Sequence, residues 1–194
     1  MCGWYRRGKR DILLRMDTSA LTNKLTYGLY VVSVADAGNG GRPAGFVIDA
    51  VCQLSSGEEP LVVCSVMNKN YSKDCIAREG VFNLSVLPED VDPFVIANFG
   101  FQSSKDVAKW DNLAFETKAG LPVIPQAVSW ARLRVLDSRV LDTHTSFFCV
   151  PEEMELLNGE KEPLRYADYF TKLKKPAFEA FQAYKDRTSG KGTV

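Results

Sequence analysis

From Tyr27 onward the chain is cut into short apolar runs by turn-forming clusters, and this punctuation restricts the fold more than any other feature. Tyr27 to Val34 is rich in β-branched and aromatic residues and predicts a strand. Ala35 to Arg42 concentrates Gly, Asn and Asp, which predicts a hairpin turn. Phe46 to Leu54 then reads as the return strand, followed by strands over Leu61 to Met67 and Val81 to Leu87. Two long strands, Trp130 to Leu141 and Thr143 to Leu157, meet near Asp142. Helical signals are fewer. Tyr71 to Glu79 is closed by Gly80, and Asp92 to Phe99 is a second candidate. Lys175 to Arg187 places Phe178, Phe181 and Tyr184 on one face, and Asp17-Thr-Ser-Ala opens a short helix within Met16 to Thr26. Ser103 to Asn112 reads as a loop or single turn, and Ser189 to Val194 as a tail. Many short strands with few helices predict a mainly β fold, a barrel or sandwich with peripheral helices. The alternation of a doubly wound sheet is absent.

Bulk properties exclude several classes. The chain has 194 residues, with 24 basic and 24 acidic side chains, so it lacks the basic excess expected of nucleic-acid or membrane-surface binding. No apolar run approaches the ~18–20 residues that span a bilayer. The basic start, Met1 to Arg15, has no apolar core or cleavage site, so a cytoplasmic location is expected. On that reading the sequons at Asn70 and Asn83 are background matches. The five cysteines (Cys2, Cys52, Cys64, Cys75 and Cys149) include no Cys-x-x-Cys pair and are expected to be reduced, mostly buried thiols.

Most catalytic signatures are missing. His144 is the only histidine, which excludes a His-rich metal site. There is no Gly-x-Ser-x-Gly elbow and no Gly-x-x-x-x-Gly-Lys-Ser/Thr loop. Gly38-Asn-Gly-Gly41 joins two strands and opens no helix, so it is a turn and not a dinucleotide fingerprint. One cluster suits an anion: Asn68-Lys69-Asn70-Tyr71-Ser72-Lys73 leaves a strand and enters a helix, offering backbone N–H, amide, hydroxyl and ammonium donors. An ordinary N-cap by Asn70 or Ser72 explains the same residues, and on this signal alone is favoured. His144, in Asp142-Thr-His-Thr145, suits either a site or a hydrogen-bonded barrel position.

Several stretches taken together resemble the flavin-reductase-like split-barrel family, over about Met16 to Phe170. They are Leu25 to Ser33, Phe46 to Ser55, Val63 to Ser72, Phe99 to Lys109, Asp142 to Thr145 and Pro163-Leu-Arg-Tyr166. Among its members the flavin domains of high-molecular-weight rubredoxins and flavoredoxin-like proteins look most similar. The resemblance implies a six-stranded Greek-key FMN-binding split barrel over residues 16–170, working as a homodimer. Residues 1–15 are then an extension outside the domain, expected to be dispensable, and 171–194 a C-terminal helix and tail. In the family pattern Phe46-Val47-Ile48-Asp49-Ala50-Val51-Cys52-Gln53-Leu54-Ser55 lies along the isoalloxazine and ribityl chain. Asn68 to Lys73 holds the phosphate, Tyr166 lies near the ring, and His144 faces the nicotinamide side as the catalytic candidate. No metal is implied. The expected activity is electron transfer from NAD(P)H through FMN to a separate acceptor, a small molecule or a redox protein. A non-enzymatic FMN electron carrier is the alternative. A pyridoxamine-phosphate-oxidase-like barrel and a flavin-free barrel are weaker. Asp49 stands where an amide is usual, and the loop Ser55 to Pro60 is unusually acidic. A carboxylate beside the ring disfavours negative charge on its reduced form.

Overall fold

The computed structural model describes Leu25 and residues 27–190. The expected helix start at Asp17, the Met1–Arg15 extension, Cys2 and the last four residues lie outside the described residues. The strands are β1 (Tyr30–Val34), β2 (Ala44–Ile48), β3 (Val51–Gln53), β4 (Val62–Met67), β5 (Val81–Val86), β6 (Glu116–Lys118), β7 (Leu121–Val123), β8 (Ser129–Val140) and β9 (His144–Leu156). The helices are α1 (Tyr71–Glu79), α2 (Pro93–Gly100) and α3 (Lys174–Thr188).

The main sheet is antiparallel, in the order β2-β1-β5-β8-β9-β4-β3. Its two ends, β2 and β3, are consecutive pieces of one chain segment broken at Asp49-Ala50. Phe46 to Leu54 therefore does not form the single expected strand. The first half pairs with β1, the second with β4, and the bend between them closes the sheet into a barrel of six strands. Since β5 returns to lie beside β1, the connectivity is a Greek key.

Alternation along the strands separates two cores. Val32, Val34, Phe46, Ile48, Val66, Phe82, Leu84 and Phe147 fill the barrel, with Ile76 of α1 packed onto the same cluster. Val31, one residue out of phase, faces outward with Leu29 into a second cluster under α2, with Ile96, Phe99 and Trp110. Helix ends follow their caps. The Asn70 side chain accepts from Ser72 N at 3.0 Å, and Gly80 closes α1 at φ 70°. Asp92 caps α2 in the same way, with Pro93 in the first turn.

The outer layer determines what happens along β2. Gly45 admits no side chain, because a Cβ would lie 2.8 Å from a Phe99 ring carbon and 2.9 Å from the Trp110 ring nitrogen. That close approach lets side chains of one loop bond the strand edge that β1 leaves free. Ser104 Oγ accepts from Gly45 N at 2.9 Å and donates to Gly45 O at 2.8 Å. Lys109 Nζ donates to the same carbonyl at 2.9 Å, and Trp110 Nε1 donates to Ala44 O at 3.4 Å.

The small β6–β7 hairpin and a helical entry to α3 have no counterpart in the sequence reading. The entry comprises a single turn (Tyr166–Asp168) and a π-helical segment (Tyr169–Leu173).

Candidate functional site

Three neighbouring cavities run along the outer edge of β2. The first, of about 410 Å³, lies between β2, the start of α1 and the loop after α2. A narrower one of about 230 Å³ shares Val47, Gly100 and Phe101 with it. A third, of about 480 Å³, shares Asp49 and Tyr166 with the second. Together they form a trough whose wall is Phe46, Val47 and Asp49. Gly45 presents both its N–H and C=O to Ser104, so Val47, two residues on, turns its backbone groups to the same side, into the trough.

The first end is cationic. Lys69 and Lys109 line it together with Asn70, Tyr71, Gln102, Ser103 and Ser104, and no carboxylate does. Tyr71 is held by its hydroxyl donating to Asp36 Oδ2 at 2.6 Å, a bond that pushes its pKa up to about 12. Asp36 is buried and also pairs with Arg78 at 3.0 Å. The turn after β1 is thereby tied to α1, and the helix start is fixed against the barrel. Lys109 is only 2% exposed, and its ammonium bonds the carbonyls of Gly45 and Phe99. Burial lowers its pKa to about 8.

The far end is aromatic and carries one carboxylate. Tyr166 and Tyr169 have ring centroids 5.8 Å apart, and Asp49 lies beside Tyr166. Burial raises the Tyr166 hydroxyl pKa, and the Asp49 carboxylate adds to the rise. The Tyr169 pKa is raised by burial as well, with Tyr166 contributing. Tyr166 is anchored through its backbone N–H, which donates to Tyr27 O at 2.8 Å, while Leu29 N donates to Leu164 O at 3.0 Å. The Pro163–Tyr166 stretch thus extends the lead-in to β1. Its continuation as a π-turn, a geometry common at functional sites, presents Tyr169 to the cavity and leaves Phe170 54% exposed.

Residues 22–173 match the flavin reductase like domain, a span that includes the whole trough. This chain belongs to that family. A ferric-chelate reductase (NAD(P)H) from Archaeoglobus fulgidus is 34% identical over 157 residues, covering 79% of this chain and 89% of the relative. A high molecular weight rubredoxin from Moorella thermoacetica is 33% identical over 158 residues, covering 79% of this chain and 66% of that protein. Among solved structures, the NADH:FAD oxidoreductase of Streptomyces globisporus C-1027 superposes with a TM-score of 0.70 at 18% identity, covering 84% of this chain and 95% of that one. At that identity the likeness concerns the fold.

Within this family member the expected site residues divide. Phe46, Val47, Asp49, Lys69, Asn70, Tyr71 and Tyr166 line the trough. The side chain of Ile48, like that of Phe46, points into the barrel core, and Val51 packs against the same cluster. Cys52, Gln53, Leu54 and Ser55 lie exposed on β3 and its loop, where Gln53 donates to Ser55 O and Ser55 accepts from Leu61 N. Ala50 stands at the bend, its carbonyl accepting from Ser65 N. Ser72 is buried, and Lys73 is paired with Asp74. Asn68 ties β4 to the β8–β9 turn, donating to Leu141 O at 3.0 Å and accepting from Thr145 Oγ1 at 2.8 Å.

His144 is not among the trough-lining residues. It sits half-buried opposite Met67 across the β4–β9 ladder, with its Nδ1 2.8 Å from the Thr143 hydroxyl. Lys109, Gln102, Ser103 and Ser104 are the additions. They fall in the Phe99–Lys109 stretch, which carries part of the family resemblance but whose polar run from Ser103 reads locally as a loop or single turn. Among the described residues no group of three or more His, Cys, Asp or Glu side chains could hold a metal.

Proposed function

We propose that this protein is a flavin-dependent oxidoreductase that binds FMN along the trough and moves electrons from NAD(P)H to a separate acceptor. The observation that carries the reading is the opposite chemistry of the two ends, a carboxylate-free cationic pocket and an aromatic pocket, joined by the backbone edge of β2. A phosphate suits the first end and a planar ring the second. Bound FMN supplies a ring that takes up hydride and releases electrons singly or in pairs. The chain's own part is to bind and orient it. Lys69 and Asn70 face the phosphate, Val47 offers backbone groups along the ribityl chain, and Asp49 and Tyr166 face the ring. Purified protein should show flavin absorbance, and heat release should yield FMN. Release of FAD would replace the cofactor, and colourless protein that takes up neither flavin would overturn the reading.

The working unit under this proposal is a homodimer. Exposed Leu136 and Val140 toward one end of the β8–β9 pair, and Met154 and Leu156 at the other, are the apolar side chains that support it. Light scattering should give about twice the 21.6 kDa chain mass. A monomer that still binds FMN would count against it.

A second reading, a carrier that exchanges electrons only with a protein, is favoured by the position of His144 outside the trough lining. Stopped-flow mixing separates the two. Rapid bleaching by NADH or NADPH supports the enzyme, and slow bleaching by both supports the carrier.

A further inference from the structure

We infer that Lys109 is the charge anchor of the cationic pocket and makes the site selective for a phosphate monoester over the same ligand without its phosphate; this rests on the reading that the trough holds a flavin. The donors named first by the sequence are largely committed elsewhere. Tyr71 donates to Asp36 and Lys73 to Asp74, while the Asn70 carboxamide oxygen accepts from Ser72 N and only its NH2 is left to donate. Lys69 is exposed, where solvent screens its charge. Lys109 differs from all of these. Its ammonium is buried, has three N–H donors, and bonds two neutral carbonyls at 2.9 and 3.0 Å. No carboxylate neutralises it in any ion pair among the described residues. A buried charge without a counter-ion is costly, and an anion entering the pocket it lines would remove that cost.

The elements packed on Lys109 leave it alone in this role. β2 and α2 carry no titratable side chain, and Lys105, Asp106 and Asp111 of its own loop are exposed. The half-buried Arg42 is the nearby cation, and its guanidinium is taken by Ser104 O at 3.2 Å. Because burial lowers the pKa of Lys109 to about 8 and a bound dianion would raise it, selectivity should be full below that pH and fall above it.

The test compares FMN with riboflavin, which share the ring and differ in the phosphate. Dissociation constants would be measured by fluorescence quenching on the full chain between pH 6.5 and 9.5. Wild type should prefer FMN, with the preference declining above pH 8 by up to about tenfold per unit. Lys109→Met should weaken FMN by about tenfold or more, the scale of a hydrogen bond to a charged group, and leave riboflavin unchanged. Lys69→Met should keep the pH break. If Lys109→Met fails to fold, the wild-type and Lys69→Met pH series decide alone. A preference flat to pH 9.5, a break abolished by Lys69→Met, or an unaltered preference in Lys109→Met overturns the inference while leaving flavin binding intact. A wild type that binds neither flavin removes the proposed function itself.

Discussion

The two ends of the trough are built by different means. The cationic end is assembled from three separate parts of the chain, fixed by hydrogen bonds between side chains and backbone. These include Tyr71 to Asp36, Arg78 to Asp36, Ser104 to Gly45, and Lys109 to Gly45 and Phe99. The aromatic end rests on packing. Tyr166 projects from a single helical turn and Tyr169 from the π-helical segment that follows, and Asp49 stands at the bend that closes the barrel. Preorganised polar groups suit a ligand part whose charge never changes. An adaptable aromatic surface suits a part whose charge does.

This contrast can be broken most sharply through His144, which belongs to neither end. If it serves hydride transfer, His144→Ala should slow single-turnover bleaching by nicotinamide about 10²-fold at unchanged FMN occupancy. An unaltered rate with a lowered Tm would make the residue structural and confine the chemistry to the aromatic end.

The next largest effect tests the strain stored at the cationic end. Lys109 has a folded pKa of about 8 against an ordinary 10.5, so it is a depressed group. Its unfavourable term is absent above pH ~10.5 and grows as pH falls toward 8, because the unfolded chain keeps a proton that the folded protein gives up. Flavin-free protein should therefore gain stability as pH rises from about 8 to 10.5. The gain is at most ~3.5 kcal/mol, at ~1.4 kcal/mol per unit. Chemical denaturation of wild type and Lys109→Met at pH 7.5 and 9.5 checks this, and parallel pH profiles would show that the charge is not strained.

Asp36→Asn asks whether the hydrogen-bonded scaffold matters as such. It removes the charge that Arg78 and Tyr71 share, and should cost about 1–3 kcal/mol of folding stability. FMN affinity should fall while the aromatic end is untouched. A stability change without loss of affinity would uncouple the scaffold from the pocket. The smallest effect belongs to Asp49→Asn. Removing the negative charge beside the ring should raise the bound-flavin midpoint potential by on the order of 30 mV, ~1.4 kcal/mol for a two-electron couple. No shift would place Asp49 away from the ring.

What the sequence revealed follows the same division. Elements with local signals appeared where expected: α1 between Asn70 and Gly80, α2 after Asp92, and the β8–β9 pair around Asp142. The break at Asp49-Ala50 did not appear, because no Gly or Pro marks it and its cause, closure of the sheet, is non-local. The β6–β7 hairpin was hidden by its three-residue strands and by Pro122 within β7. Its turn at Ala119-Gly120, both at positive φ, was the available signal. Lys109 lies within a family-like stretch but reads as part of a polar loop or single turn. Nothing local distinguishes a buried lysine, since its burial comes from α2 and from the absent side chain of Gly45.

That missing side chain has a consequence for how the protein survives outside its folded, ligand-filled state. A barrel split along β2 would offer neighbouring chains a row of unpaired backbone groups, the usual template for strand-to-strand aggregation. Here the seam is stitched by Ser104, Lys109 and Trp110 rather than by another strand. An excursion of residues 103–110 would uncover that edge and would also withdraw Trp110 from the outer core. Solubility during synthesis and storage would then depend on how well that loop holds its place against β2. Ligand that bridges Lys109 and the loop would act as a preservative, and material purified without flavin should be the fraction that precipitates first.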